Sequence, residues 1–474
     1  MNDASSPLAE EASAYYNDLL RPVFSGRKFL IAGPIAVGLG GLARRLNALG
    51  TERSFLIAGS EGTGALPTAE EAELHVLGLE SKDILEEHRN LQSVIDDLSR
   101  ELRRAIDAWD PTESASFIFS SPLAASRTAA PRRPYGARPA AWESLEDKVQ
   151  IDAFWDAAGV KRAPSQIVPA DYEAIRTAAT ALDRGLGTVW AADARDGTHG
   201  GGLGLRWVRP GDDGRASYES LRRMADRVRV MPFLEGIPAS IHGIVFPDAV
   251  AVFRPVEMVV LRPAEGDRLF YAGCATAFDP SPDDRASMRD VAYRAGVALR
   301  ETVGYRGPFG IDGILSEDGY VPTEMNARSG AGLGPLAVGL PDLPLAPLCL
   351  AISQGEQLDY RPDLLEKAVV ESADAHRTCA GWTVTPTAFD SSGVLEVVRD
   401  GDEYRESRPG EEPHGTFQFG PSVMGGFVRF VLHPSQIQRG SSTAPEVIRA
   451  LRFADRQLGT DFGELDAARD LRRQ

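Results

Sequence analysis

The sequence predicts an α/β fold that opens with a Rossmann-like domain, passes into α+β structure and closes with a small mixed region. Three observations predict it. Short apolar runs alternate with helical stretches along the whole chain. A stretch rich in Pro, Arg and Ala, SRTAAPRRPYGARPAA (126–141), has no periodicity and separates the first alternation from the second. The 474 residues suffice for three or four domains at roughly 100–200 residues each, and 43% hydrophobic with 25% charged residues is an ordinary globular balance.

KFLIAG (28–33) is an apolar run ending in glycine, the pattern of a strand. GLGGLARRLNALG (38–50) then puts Leu42, Leu46 and Leu49 on one helical face, with Gly50 as a stop. SFLIAG (54–59) repeats the strand pattern, a long charged helix is expected near 82–108, and FIFSSP (117–122) reads as another strand. The 126–141 stretch reads as a loop or linker. Beyond it an amphipathic helix is expected at 145–158, stopped by Gly159, with Pro164 entering a strand. A helix near 171–183, a strand at 187–192 and the loop DGTHGGG (196–202) follow. Strands are expected at 204–209, 239–246, 250–254 and 257–261, then a helix near 284–303. The apolar stretch 334–355 reads as a buried helix entered through a proline-broken loop, and strands at 393–398 and 427–432 precede a last helix at 443–458.

The formal net charge of −17 makes the chain a poor general binder of phosphate backbones, so nucleic acid is not expected as a partner. Only five of the 51 basic residues are lysine, so any chemistry that needs an ammonium has few candidates. The three cysteines are widely spaced and form neither a disulfide framework nor a CxxC metal site. Reduced thiols and a cytoplasmic location are the expectation. The start, MNDASSPLAEEAS, lacks the apolar core of a signal peptide. No apolar run approaches the roughly 18 residues of a membrane span.

The most informative segment is GPFGIDGILSEDGYVPTEMNARSGAG (307–332). Two apolar runs flank Glu317-Asp318-Gly319, which reads as a three-residue hairpin loop with glycine in the left-handed position. With Ser316 facing Tyr320, Asp312 lies opposite Glu324. Asn326, two residues on, projects from the same face. Two carboxylates and an amide oxygen on one face repel unless something positive sits between them, and they are hard oxygen ligands of the kind Mg²⁺ takes beside substrate phosphates. Ile311, Ile314, Val321 and Met325 argue that the hairpin is partly buried rather than a solvated acidic face. A register slip of one residue would separate the pair.

The hairpin, with Asp312, Glu324-Met325-Asn326 and Arg328, resembles the metal-binding end of the ATP-grasp superfamily, over about 145–355 of this chain. The resemblance implies a Rossmann-like pre-ATP-grasp domain at 1–140 and a two-lobed ATP-grasp core. The small lobe with its Gly-rich loop would span 141–230 and the large lobe 231–370, leaving a mixed C-terminal domain at 371–474. The glycine-rich motifs and GPSVMGGFVRFVLHP (420–434) are most similar to the pheganomycin-type peptide ligases, a secondary-metabolite family. The cofactors implied are ATP and Mg²⁺, the metal held by Asp312, Glu324 and Asn326. Lys148, in LEDKVQIDAF, resembles the helix-opening lysine sent to the phosphates. DGTHGGGLG (196–204) looks like the loop that closes over them, with His199, Gly200, Gly201 and Gly202 bringing bare backbone N–H groups close. VMPFLEGIPAS (230–240) resembles the hinge whose backbone, here at Phe233 and Leu234, holds the adenine. Arg254, in VFRPVE, sits where a cation faces the phosphates, and Arg328 is the candidate for steadying an acyl phosphate and its oxyanion.

There are departures from the family pattern. The strand TVWAADAR (188–195) carries no second lysine, so Arg195 or a loop residue would have to compensate, and Met231 stands where the hinge usually opens with an acid. The activity implied is ATP-dependent carboxylate–amine ligation, on small-molecule carboxylate and amine or peptide substrates, without nucleic acid or membrane, and with a homodimer as one arrangement. Two other readings stay open. One is a non-catalytic ATP-grasp scaffold. The other is a nicotinamide-dependent oxidoreductase built on Gly38-x-Gly40-x-x-Ala43. That fingerprint follows its strand after a gap, and the second strand, ending at Gly59-Ser60, lacks the expected acid.

Overall fold

The computed structural model describes residues 6–121, 128–193, 195 and 202–472. Helix α1 (Pro7–Phe24) precedes strand β1 (Phe29–Ile35), helix α2 (Ala36–Ala48) and strands β2 (Ser54–Ser60) and β3 (Ala72–Val76). Helices α3 (Ile84–Asp96) and α4 (Arg100–Trp109) lead to β4 (Ser116–Phe119) and the short β5 (Arg133–Pro134). These strands form one parallel sheet in the order β3-β2-β1-β4-β5. Its central strands are apolar end to end because helices cover both faces, which is why FLIAG and SFLIAG read so clearly. The long helix expected near 82–108 is two. Leu98 turns into the core, and the Ser99 side chain caps α4 by accepting from the Leu102 amide at 3.2 Å. The stretch read as a loop or linker is pinned rather than loose. The guanidinium of Arg132 is fully buried between Asp110 and Asp107, and Tyr135 packs edge-on against Phe24 and Phe29.

The helix expected at 145–158 is a 3₁₀ turn (Ala140–Glu146) followed by α5 (Ile151–Ala157). Asp147 divides them, because its carboxylate accepts from the Val149 amide at 3.0 Å and from the Gln150 side chain at 2.6 Å. Next come β6 (Gln166–Pro169), α6 (Tyr172–Leu182), β7 (Thr188–Ala192), β8 (Leu205–Val208), α7 (Arg215–Leu221) and β9 (Arg227–Pro232). Their four strands make an antiparallel sheet in the order β6-β9-β7-β8.

The central sheet is antiparallel and runs β12-β11-β10-β13-β14. It contains β10 (Ile237–Val245), β11 (Val250–Pro263) and β12 (Phe270–Ala275), then, after α8 (Pro282–Val303), β13 (Gly307–Ser316) and β14 (Gly319–Asn326). The two strands expected at 250–254 and 257–261 are one. Pro255 is tolerated because the ladder to β10 is already irregular there, between Ile241 and Gly243. One face of this sheet buries Ile237, Ala239, Ile241, Ile311 and Leu315 against Met288, Val291, Ala295 and Leu299 of α8. By the two-residue alternation of strands, Ser240 and Asp312 stand on the opposite face.

The apolar 334–355 stretch is two helices, α9 (Leu333–Leu336) and α10 (Leu345–Gln354), divided by a loop containing Pro341 and Pro344. With α11 (Pro362–Ala375) they share a continuous core with α1, the parallel sheet and β10–β11. A last sheet, β15-β19-β18-β16-β17, contains β15 (Ala380–Thr385), β16 (Gly393–Asp400), β17 (Glu403–Glu406), β18 (Gly415–Ser422) and β19 (Gly425–Leu432). Helix α12 (Ala444–Leu458) packs on it, and β20 (Leu465–Asp466) returns to pair with β11. The three cysteines are free and buried. Among the described residues no helix is long and apolar enough to cross a membrane.

Candidate functional site

The β13–β14 hairpin brings Asp312 directly opposite Glu324 and Gly310 opposite Asn326. The expected loop was nevertheless one residue too long. Ser316 pairs with Gly319, whose φ of +93° lets the chain reverse over only Glu317 and Asp318. The missing residue returns as a bulge between Asp312 and Gly313, where Thr323 has no partner across the ladder. Pro322, which has no N–H to offer, sits beside it. The Thr323 hydroxyl donates to the Asp312 carbonyl at 3.1 Å, and its own carbonyl accepts from Arg229 at 3.3 Å. Arg229 in turn grips Asp152 of α5 at 2.7 Å. The bulge is thus tied to two other elements, and it restores the register that matters.

The Asn326 amide donates to Asp312 Oδ2 at 2.9 Å. Burial, then the charge of Glu324, push the Asp312 carboxyl up to about 6. Lys148 lies in the turn before α5 rather than at a helix start, and its ammonium reaches Glu324 Oε1 at 2.8 Å. Arg328 donates from Nε to Glu146 Oε2 at 3.0 Å. The Glu146 side chain is 1% exposed and also binds Arg138. Arg328 keeps 17% of its side chain exposed, and its Nη atoms have no hydrogen-bond partner among the described residues. The structure therefore joins Asp312, Glu324, Asn326 and Lys148 through direct contacts, and Arg328 lies near enough for its charge to oppose the upward shift of Asp312, giving two carboxylates, an amide and two cations.

Other expected residues lie elsewhere. Arg254 is a correction: it is 0% exposed and donates to the carbonyls of Thr276, Ala373 and Phe278 and to Asp279, so it fastens core elements and has no surface to offer a phosphate. At the hinge, the Phe233 N–H is already bonded to the Gly187 carbonyl at 2.9 Å, while its ring stacks on Trp207 with centroids 4.2 Å apart. The Leu234 amide has no such partner among the described residues. Glu235 is held in a two-pronged pair with Arg262, both contacts at 2.7 Å. His199, Gly200 and Gly201 lie outside the described residues. Gly202, with φ of +73°, follows them into β8. Arg195 binds Asp226 at 3.4 Å and the Arg223 carbonyl at 2.5 Å, so it is committed locally. Gly38 and Gly40 lie inside α2 rather than in the turn before it, and Gly40 abuts Pro67. Packing explains that glycine, and the nicotinamide fingerprint loses its turn.

Four residues of the site were missed: Ser240, His242, Glu146 and Arg138. Ser240 and His242, two apart in an apolar strand, carried a faint signal, since an alternating Ser-x-His pair must share a face. Burial depresses His242 from its ordinary 6.5 to about 4. Between those values the unfolded chain holds the extra proton, so the contribution is complete above the higher value and is lost as pH falls toward the lower. The window is worth about 3 kcal/mol. The stability difference between wild type and His242→Gln, followed by denaturant unfolding from pH 7 to pH 4, is expected to shift by about that amount. A difference that stays constant with pH would contradict a buried neutral imidazole.

No family model matches the chain, and no curated protein does. Solved structures do. Biotin carboxylase from Campylobacter jejuni, in a β-γ-ATP complex, superposes with a TM-score of 0.56 at 13% identity over 87% of this chain and 88% of its own. Carboxyaminoimidazole ribonucleotide synthase from Aspergillus clavatus, complexed with ATP, gives 0.51 at 12% identity over 91% of this chain and 99% of its own. At such identities the likeness establishes the fold, and the fold is that of the ATP-grasp enzymes.

Proposed function

We propose that this chain is an ATP- and Mg²⁺-dependent ligase that joins a carboxylate, an amino acid or a derivative, to the amine of an amino acid or peptide. The observation that carries the reading is Asp312 facing Glu324 across one ladder, with Asn326, Lys148 and Arg328 around them. That two structures of this fold hold ATP or a β-γ-ATP ligand supports a nucleotide site. The donor set fits Mg²⁺: two carboxylates and an amide oxygen, one carboxyl held above its ordinary range by burial and by the charge of the other. When bound, the metal would neutralise phosphate charge during transfer.

In this reading a substrate carboxylate oxygen attacks the γ-phosphorus of ATP, and the bond to the bridging oxygen breaks to give acyl phosphate and ADP. The amine then attacks the acyl carbon, phosphate leaves with its electron pair, and the amine loses a proton. Asp312, Glu324 and Asn326 would hold the metal. Lys148 balances Glu324 while no metal is there and stands beside the place the phosphates would occupy. The free Nη groups of Arg328 face the anion that builds at the acyl phosphate and the tetrahedral oxygen. The Leu234 amide and the 196–204 loop serve the nucleotide. The four sequence-derived units, and the likeness to pheganomycin-type peptide ligases, belong to the same proposal.

A non-catalytic scaffold is the second reading, motivated by the absence of a lysine on β7. An ADP-release screen across amino-acid and peptide pairs, with mass spectrometry of products, separates the two. Ligation predicts ADP formation that needs both partners and an amide product lighter than its reactants by one water. ATP binding with no amide from any pair favours the scaffold.

A further inference from the structure

Ser240 and His242 play no part in the scheme above, yet they sit directly behind it. Ser240 of β10 is paired with Asp312 of β13, so the two side chains project from the same face as near neighbours. That pairing sets the Ser240 hydroxyl beside the Asp312 carboxyl. The same hydroxyl lies 3.0 Å from His242 Nε2. Ser240 is 1% exposed and His242 3% exposed, so bulk solvent does not reach them.

A hydroxyl has one proton. With a carboxylate on one side, that proton goes to the carboxylate, and the imidazole must then supply the other hydrogen bond from Nε2–H. This fixes the tautomer and leaves Nδ1 as a bare acceptor. Nδ1 is the ring atom that is buried without a hydrogen-bond partner. A buried polar atom left unpaired needs a reason, and here the reason lies at the other end of the ring.

The ring is also immobilised. A Cβ added at Gly310, Gly330 or Gly332 would come within 2.7, 2.7 and 2.2 Å of it. Gly310 pairs with Asn326, and Gly330 and Gly332 follow Arg328 in the chain. Three glycines thus clear a slot for an imidazole between β13 and the loop that carries Arg328. The slot holds the ring against Ser240, whose hydroxyl lies 3.0 Å from Nε2.

We propose that His242 and Ser240 are positioning residues that act in series on Asp312, aiming one carboxylate oxygen at the divalent metal and keeping the carboxyl from swinging onto its neighbours. This rests on the metal reading above and adds two residues to it. Outer partners that orient a ligand typically change metal affinity 10- to 100-fold when removed.

The test is Mn²⁺ binding by electron paramagnetic resonance on the full chain in the presence of ADP, which reads affinity without turnover. Ser240→Ala is expected to weaken Mn²⁺ about tenfold, and His242→Leu, which fills the slot without a donor, by several-fold. Ser240→Thr keeps the hydroxyl and His242→Gln keeps a donor near the Nε2 position, so both are expected within about threefold of wild type. Wild-type affinity in Ser240→Ala, with an unchanged circular dichroism spectrum, overturns the proposal. Equal losses in the Gln and Leu variants overturn the His242 half of it. Should His242→Leu fail to fold, the Ser240 pair decides alone. Absence of Mn²⁺ binding in the wild type strikes the metal reading itself, a result distinct from the variants matching a wild type that binds.

Discussion

Asp312→Ala and Glu324→Ala are expected to fold and to lose ATP-dependent amide formation by about a thousandfold or more, some 4 kcal/mol of transition-state stabilisation. The loss is large because phosphoryl transfer asks little covalent chemistry of the protein and much charge neutralisation. Two carboxylates facing each other on adjacent strands are the only pair in this constellation that can anchor a divalent ion. Stability is expected to move the other way for Asp312. Its carboxyl is held above the ordinary range by burial and by Glu324, so at neutral pH the ionised group is a strain on the fold. Alanine removes that strain, and the midpoint of thermal unfolding should rise or stay level while turnover vanishes. Glu324→Ala also frees Lys148 from its 2.8 Å pair, and because the Lys148 side chain is only 8% exposed some stability is lost there. Near-normal ADP release from both variants, at saturating Mg²⁺ and ATP, would remove the metal assignment.

How much of this was legible can be judged residue by residue. The middle of the parallel sheet was, because β1, β2 and β4 spell out apolar runs, whereas the half-exposed β3 and the two-residue β5 gave no such run and were not expected. The Asp312–Glu324 pairing was legible for a partly accidental reason. The reading placed three residues in the loop and none in a bulge, the structure places two in the loop and one in a bulge, and the two differences cancel beyond Thr323. The Thr323 carbonyl at the bulge accepts from Arg229, a tertiary contact that neither Pro322 nor Gly319 announces in the sequence. Arg254 was misjudged because an arginine between apolar residues reads the same whether its strand faces a cleft or a core. Only the carbonyls of Thr276, Phe278 and Ala373, far away in sequence, settle which. The glycines at 310, 330 and 332 were visible one by one, but the imidazole they enclose comes from another strand. Glu146 was hidden differently. In SLEDK it looked like one more acid on an amphipathic helix, and the Asx turn at Asp147 that ends that helix is a local competition propensity does not resolve.

Glu146 and Arg328 give the second large effect, and together they separate a group that touches the reaction from the group that holds it. Glu146 is buried between two guanidinium groups, and two nitrogens of Arg138, Nε and Nη2, are buried with no hydrogen-bond partner among the described residues. The carboxylate is therefore the main counter-charge for both arginines. Arg328→Ala removes the outer cation and leaves the buried Arg138–Glu146 pair intact. It is expected to cut kcat by 100- to 1,000-fold, about 3–4 kcal/mol, with little change in the unfolding midpoint or in the KM for ATP. Glu146→Gln keeps the shape but removes the charge, leaving two guanidinium groups facing an amide. Breaking a buried pair from one side typically costs about 3–5 kcal/mol, so this variant should lose stability as well as turnover. The contrast between the two carries the argument. If Arg328→Ala retains kcat within twofold, its free Nη groups face nothing that reacts. If instead Arg328→Ala unfolds as readily as Glu146→Gln, the arginine is a structural partner of Glu146. A kcat loss confined to the first variant, and a joint loss in the second, is the pattern expected of a cation steadying a developing oxyanion on a buried acidic mount.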